Sequence, residues 1–409
     1  MELKPGYKQT EVGVIPEAWD VDSVGKTFDI CNQLRLPLSR SVRERMAGPY
    51  PYYGPTGVQG WINEYRVEGE YALIGEDGDN FLKWRNQPMT LLVRGKFNVN
   101  NHAHLVRGSK NLTEWFYWFF VNRDITSYLT RQGAGRYKLT KATLAQIPCV
   151  LPPESEQRAI ATALSDVDAL LSALERLIAK KRDLKQATMQ QLLIGQTRLP
   201  GFHGDWEMKR LGDIADIISG GTPKTNEPSY WNGDIKWCTP TDITSCQSKY
   251  LIETERTISR LGLNSSGARL MSAGALLLCS RATIGESKIA GCEISTNQGF
   301  KSLVCLPGMN NEYLYYKMLT MKPQMIERAF GSTFLEISKS NIAALEFSLP
   351  DFHEQTAIAA VLTDMDAELA ALEQRREKTR AIKQGMMQEL LTGRIRLPLP
   401  EALKKASTP

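Results

Sequence analysis

Residues 152–200 read PPESEQRAIATALSDVDALLSALERLIAKKRDLKQATMQQLLIGQTRLP, and residues 350–398 read PDFHEQTAIAAVLTDMDAELAALEQRREKTRAIKQGMMQELLTGRIRLP. The two stretches align without a gap, 198 residues apart, and 26 of their 49 positions are identical. In the first, apolar residues recur at spacings of three and four: Ile160, Leu164, Val167, Leu171, Leu174, Ile178 and Leu192. The second repeats the pattern with Ile358, Leu362, Met365, Leu369, Leu372, Ile382 and Leu390. That period, with no internal proline, predicts a helix with one apolar stripe in each copy. Ser155 and Glu156 after Pro152-Pro153 suit a helix entry, and Gly195 and Gly393 suit an exit. About 40 residues at about 1.5 Å each give a helix near 60 Å long.

So long a helix with a single stripe needs a partner, and the other copy is the obvious one. The first helix leads away from one unrelated stretch and delivers the chain to another. The second must start there and run back. The expected frame is therefore an antiparallel pair with one insert at each end and an approximate two-fold. GVIPEAWDVDSVGKTFDI at 13–30 echoes FHGDWEMKRLGDIADI at 202–217, with Trp19 matching Trp206 and Gly25 matching Gly212. Five segments follow: a frame segment 1–20, a first domain 21–151, a central repeat 152–206, a second domain 207–349, and a C-terminal repeat 350–409.

Bulk properties agree with more than one domain. The chain has 409 residues, 42% hydrophobic and 23% charged, with a formal net charge of +5. One hydrophobic core rarely serves so long a chain. No apolar run reaches the roughly 18 residues of a membrane span, and MELKPGYKQTE lacks a signal-peptide apolar region. Seven scattered cysteines without CxxC predict reduced, mostly buried thiols in a cytoplasmic protein. Residues 21–150 carry 17 Lys+Arg against 11 Asp+Glu, whereas residues 207–349 carry 15 against 14. The first insert is basic and the second nearly neutral.

Both inserts mix strand-like and turn-rich segments and end in a helix-like stretch, so each reads as a compact α/β (α+β) domain whose final helix feeds the rod. Their polar groups suit reading a surface more than breaking a bond. Asn98, Asn100, Asn101, His102 and His104 lie at expected turns of the first insert; Thr222, Lys224, Thr239, Thr241, Asn297 and Gln298 lie at those of the second. Such side chains form hydrogen bonds to base edges, while Arg, Lys and Thr hold phosphates. The glycine-flanked run Arg131-Gln132-Gly133-Ala134-Gly135-Arg136-Tyr137-Lys138 is the best single candidate for a DNA-contacting loop.

Catalytic patterns are missing. Val24-Gly25-Lys26-Thr27 resembles the end of a P-loop, but Asp20 stands where the upstream glycine is required. No GxGxxG follows a strand, and no Asn- or Asp-Pro-Pro-aromatic run occurs. His102 and His104 form an i,i+2 pair without an evident third metal ligand. His203 and His353 sit in the joints of the repeat and read as structural. Gly75-Glu76-Asp77-Gly78-Asp79 reads as a turn rather than a divalent-ion loop.

Several segments resemble the specificity subunit of type I restriction-modification systems. They are YKQTEVGVIPEAW near the start, SEQRAIATALSDVDALL and HEQTAIAAVLTDMDAEL opening the repeats, and QQLLIGQTRLP and QELLTGRIRLP closing them. Within the inserts, YYGPTGVQGWINEY, ALIGEDG, VNNHAHLV, SGGTPKTNEPSYWNGDIKW and STNQGFKSL are similar to that family's target-recognition motifs; Tyr53 and Lys301, which lie in them, join the candidate set, as does Arg281 in GALLLCSRATIGESKIAG at 274–291. The resemblance implies a non-catalytic subunit that reads double-stranded DNA with one domain per half-site and a helical spacer between. It also implies two modification subunits, which hold S-adenosylmethionine and methylate adenine, and two restriction subunits, which use ATP and Mg; no cofactor is expected in this chain. A rod near 60 Å would separate its end domains by roughly one to two turns of B-DNA. The alternatives are a stand-alone nuclease using Glu76, Asp77 and Asp79, or a helical scaffold whose inserts bind protein.

Overall fold

The computed structural model describes residues 4–131, 137–331 and 335–398. Gly133 and Arg136, which belong to the glycine-flanked run, lie outside the described residues. The chain forms two compact units, Met1–Leu174 with Arg375–Pro409 and Glu175–Gln374.

In the first unit, strand β1 (Asp20–Ser23) is followed by β2 (Phe28–Ile30), helix α1 (Arg40–Arg45), and strands β3 (Ala47–Gly54), β4 (Gly57–Ile62), β5 (Val67–Gly75), β6 (Thr90–Val99) and β7 (Ala103–Gly108). A six-stranded sheet has the order β2-β7-β5-β6-β3-β4. All its neighbours are antiparallel except β3 and β6, where Tyr52 lies beside Asn98 and Tyr53 beside Val99 in parallel register. The stretch FNVNNHAHLV turns at Asn100–His102 between β6 and β7, so of the residues expected at turns Asn98 and His104 lie instead in the strands. Helix α2 (Thr113–Phe120) has apolar rings almost all round and is correspondingly buried, with Trp115, Phe116, Trp118, Phe119 and Phe120 in the core against β5, β6 and β7. The element before the first repeat is a strand, β8 (Pro148–Leu151), rather than the expected helix; it pairs antiparallel with β1.

Helix α3 (Glu154–Leu193) is the first repeat. In the second unit follow β9 (Glu207–Arg210), β10 (Ala215–Ser219), β11 (Trp231–Cys238), α4 (Pro240–Ser245), β12 (Tyr250–Leu251), β13 (Arg256–Ile258), β14 (Leu276–Leu278), β15 (Ser287–Ala290), β16 (Ile294–Thr296), β17 (Lys301–Cys305) and α5 (Asn311–Thr320). These strands form a five-stranded sheet, β10-β17-β14-β15-β12, and a three-stranded sheet, β13-β11-β16. A strand again precedes the repeat: β18 (Glu346–Leu349) pairs with β9 as β8 does with β1. The second repeat is α6 (Phe352–Leu390). Its start is capped by a residue the sequence reading did not single out, Asp351, whose Oδ1 accepts from the N–H groups of His353 and Glu354.

Within each unit the two helices run antiparallel. In the first, Ile160, Ala161 and Leu164 share a core with Met386, Met387 and Leu390, while Lys383 pairs with Asp168 at 2.5 Å. In the second, Met189, Leu192 and Leu193 share one with Ile358, Ala359 and Leu362, and Lys185 pairs with Asp366 and Lys181 with Glu368. One position departs from the expected stripe: Ile382 is 50% exposed. The buried place goes to Thr379, whose hydroxyl returns to the Arg375 carbonyl at 2.8 Å.

The ends of the helices explain the repeated punctuation. Gly195 and Gly393 have φ of +72° and +68°, a left-handed exit that disfavours any side chain. At each joint a tryptophan indole donates to a buried carboxylate at 3.1 Å, Trp19 to Glu156 and Trp206 to Glu354. Gly25 and Gly212 are required by close approach, since a Cβ there would lie 2.8 Å from the Ala145 Cβ and 3.1 Å from the Ala343 Cβ respectively. Two expectations need correction. Of the seven free cysteines, Cys149, Cys238 and Cys279 are buried but Cys31, Cys246, Cys292 and Cys305 are only half-buried. His203 and His353 are exposed rather than built into the joints.

Candidate nucleic-acid interface

Each unit ends two of its strands at the same small crossing of loops. In the first, the Glu76 N–H donates to the His102 carbonyl (2.8 Å), the Leu139 N–H to the Glu76 carbonyl (2.8 Å), the Asn100 N–H to the Tyr53 carbonyl (2.9 Å), and the Leu36 N–H to the Val99 carbonyl (2.8 Å). In the second, Ser280 donates to Gly299 (2.8 Å), Ile337 to Ser280 (2.9 Å), Asn297 to Cys238 (3.0 Å) and Gly221 to Thr296 (2.9 Å). Both crossings contain an asparagine turn: Asn100 Oδ1 accepts from the His102 N–H at 2.8 Å, and Asn297 Oδ1 from the Gly299 N–H at 2.9 Å. The parallel strand pairs β3–β6 and β11–β16 lead into them. The two domains, unlike in sequence and in sheet arrangement, therefore share one scaffold.

The side chains on that scaffold differ. Equivalence through the bonds above sets Asp77 against Arg281, Asn101 against Gln298, His102 against Gly299, and Lys138 against Glu336. Charge is inverted across one contact. The backbones of Asp77 and Lys138 pair in a short antiparallel bridge, as do those of Arg281 and Glu336, so the acid sits on the loop in one domain and on the return strand in the other.

Around the first crossing, Arg35 donates to Glu76 at 2.5 Å and to the Asn101 carbonyl at 3.0 Å, Lys138 Nζ lies 3.8 Å from Glu76, and His102 Nδ1 lies 2.8 Å from Asp77. Asn101 and His102 are exposed. Arg131 donates to the Tyr137 hydroxyl at 2.7 Å and covers that ring at 4.6 Å, while Gly78 N–H reaches the Tyr137 carbonyl. The structure thus gathers Tyr53, Asn100, Asn101, His102, Arg131, Tyr137 and Lys138 from three separate stretches. Glu76 and Asp77 belong to the same cluster, Glu76 facing Arg35 and Lys138 and Asp77 facing the His102 ring.

Three residues of the first insert present nothing outward. Asn98 is fully buried and donates to the Glu64 carbonyl at 2.7 Å. Asn100 is 5% exposed, its amide spent on Gln59 at 3.0 Å. Both tie the parallel strands to the hairpin β3–β4 and the residues just after it, so their side chains face into the protein and shape the crossing. His104 is buried, with Nε2 donating to the Leu139 carbonyl (2.7 Å) and Nδ1 accepting from Asn32 (2.8 Å). Burial also lowers its pKa, which favours this neutral form.

Around the second crossing, Thr222 donates to Gln298, and Lys301 lies 3.7 Å from Glu336. Gln298 and Arg281 are exposed. Thr239 is committed to capping α4, its N–H and hydroxyl both reaching Asp242 Oδ2 (2.7 and 2.6 Å). Thr241 and Lys224 are exposed, Thr241 on α4 and Lys224 on the loop whose carbonyl receives the Trp231 indole at 3.1 Å. Among the described residues no group of three or more His, Cys, Asp and Glu side chains could hold a metal ion, and no helix is long and apolar enough to cross a membrane.

The sequence reading missed Arg35, Arg43 and Arg66, which staple the strap 32–38 beside the first crossing. The arginine-rich stretch Arg35–Arg45 was a signal available for it.

Known proteins share this organisation. A family described as the type I restriction modification DNA specificity domain matches residues 16–185 and again residues 203–381. The specificity subunit of the type I restriction enzyme MjaIX of Methanocaldococcus jannaschii is 38% identical over 164 residues, which cover 40% of this chain and 38% of that protein. A putative type I specificity subunit of Haemophilus influenzae is 28% identical over 348 residues, 82% of this chain and 84% of that one. The crystal structure of a type I restriction-modification S subunit from M. genitalium superposes with a TM-score of 0.61 at 13% identity, covering 95% of this chain and 98% of that chain. With two copies of the domain spanning most of its length, the chain belongs to the type I restriction-modification DNA specificity family, as a specificity subunit.

Proposed function

We propose that residues 21–151 and 207–349 are two target-recognition domains, each reading one half of a split, asymmetric site on double-stranded DNA. The observation that carries this reading is the shared crossing with exchanged side chains: one backbone scaffold carries Asp77, Asn101, His102 and Lys138 in one domain and Arg281, Gln298 and Glu336 in the other, with the buried Gly299 in the place of His102. A carboxylate accepts from the amino group of cytosine, whereas arginine donates bidentately to guanine and glutamine pairs with adenine. Inverted charge at the same place therefore selects different bases, and the two half-sites differ.

The helices α3 and α6 are the spacer that fixes the number of unread base pairs. Their repeated outer faces dock two modification subunits, and two restriction subunits complete the larger complex in the cytoplasm. This chain itself performs no bond chemistry. S-adenosylmethionine belongs to the modification subunits, and ATP and Mg to the restriction subunits. Mapping methylated adenines in cells carrying this chain and its modification partner tests the reading. A motif of two dissimilar short blocks with a fixed gap supports it; one uninterrupted block, or a symmetric motif, contradicts it.

A further inference from the structure

The positive charge of the first domain has a specific location. Residues 33–45, QLRLPLSRSVRER, contain four arginines and one glutamate. The equivalent stretch of the second domain, GGTPKTNEPSY at 220–230, contains one lysine and one glutamate. The correspondence is fixed by Leu36 and Gly221, which make matching backbone bonds to Val99 and Thr296.

Arg43 and Arg66 are held by groups that orient them without neutralising them. Arg43 Nη1 donates to the Leu38 carbonyl at 2.8 Å and its guanidinium lies over the Tyr52 ring at 4.8 Å. Arg66 donates to the carbonyls of Arg35 (3.1 Å) and Gln33 (3.3 Å). The Tyr52 hydroxyl fixes the same strap, donating to the Leu36 carbonyl at 2.6 Å and accepting from the Leu38 N–H at 3.0 Å. Arg40 has Glu44 and Arg35 has Glu76, but among the described residues no carboxylate forms an ion pair with Arg43, Arg45 or Arg66. Arg45 and Arg66 are exposed. A carbonyl acceptor fixes a guanidinium's direction and leaves its full charge outward, as a phosphate site needs.

We infer that Arg43, Arg45 and Arg66 form a sequence-independent clamp on the sugar-phosphate backbone beside the half-site that the first domain reads. The equivalent stretch of the second domain holds no arginine, so the first domain supplies the larger share of the charge-driven grip. This rests on the DNA-reading function proposed above. It adds a division of labour between the two domains: one anchors and reads, the other chiefly reads.

The test uses the complex with its modification subunits. Affinity is measured across salt concentration for a duplex with the full site and for one with both half-sites scrambled. Arg45→Ala and Arg66→Ala should each weaken both duplexes alike and reduce the slope of log affinity against log salt by about 0.9, the value for one lost phosphate contact. Arg45→Lys should keep the wild-type slope, because the charge survives. The methylated sequence should stay the same in every variant.

A wild-type slope in Arg45→Ala and Arg66→Ala overturns the clamp, and so does a changed base preference in the first half-site. Should Arg66→Ala loosen the strap and lower the unfolding temperature, Arg45→Ala decides, since Arg45 has no part in holding the strap. If the wild-type complex does not distinguish the site from scrambled duplex, the DNA-reading function itself has failed. Wild-type discrimination with unchanged slopes in the variants removes the clamp alone.

Discussion

Arg396 closes on Glu156 with a two-pronged ion pair, Nε to Oε2 at 2.7 Å and Nη2 to Oε1, across 240 residues of chain. Arg198 closes on Glu354 in the same way, at 2.5 and 2.6 Å. Each carboxylate opens one repeat and each arginine ends the other, so the start of one helix is fastened by the tail of its partner within the same unit. The Trp19 and Trp206 indoles complete the two joints. The glutamates are almost buried, and removing one partner of such a pair leaves an uncompensated charge.

Arg198→Met and Arg396→Met are accordingly expected to cost about 3–5 kcal/mol each. Adding Glu354→Gln or Glu156→Gln in the matching joint should recover part of the loss, while the mismatched combinations should be roughly additive. Denaturant unfolding of the four double variants measures this directly.

Gly393 and Gly195 should rank differently under substitution by alanine. Both need a left-handed backbone, which costs a residue with a Cβ about 1–2 kcal/mol. At Gly195 the added Cβ meets the Trp206 ring at 3.3 Å, whereas at Gly393 it meets Pro16 at 2.5 Å. Thermal unfolding should show Gly393→Ala as the more damaging of the two.

Lys317 gives the second unit a distinctive pH dependence. It is 6% exposed, its ammonium donating to the Leu193 carbonyl at the end of α3 (2.7 Å), and burial brings its pKa down from 10.5 to about 8. Between those values the unfolded chain holds the proton that the folded chain has released. Stability contributed by this residue therefore rises as pH climbs from about 8 towards 10.5. Lys317→Met should flatten that rise, with the orphaned Leu193 carbonyl offsetting part of the gain at neutral pH; unfolding midpoints from pH 7 to 10.5 follow it.

His102→Ala should relax discrimination at one position of the first half-site by about 1–3 kcal/mol and leave the second half-site intact. Arg281→Gln should do the converse. Methylation mapping of both variants reads the two halves side by side, each serving as the other's folding control.

The frame was legible in the sequence because it is written twice. Period, glycine exits and the Glu-Gln and Arg-Leu-Pro ends located α3 and α6 to within a few residues. The crossing was only half legible. Asn98, Asn100 and Asn101 look alike in the sequence, yet a turn in mid-segment buries the first two and exposes the third. All three were expected at turns, and only the parallel pairing of β3 with β6 decides which of them face inward. The ion pair of Glu76 with Arg35 escaped for a similar reason: its partners lie 41 residues apart in the chain and meet only through the fold. Thr239 looked like a contact residue, and its capping of α4 became evident only with the Asp242 geometry in place.

The central claim is that two domains read two half-sites independently across a fixed spacer. Replacing residues 207–349 by the second domain of another specificity subunit, then sequencing methylated adenines in cells with the same modification partner, tests it most directly. The account predicts a motif in which one block is new while the other block and the gap are unchanged. A motif altered in both blocks, or in neither, would contradict it.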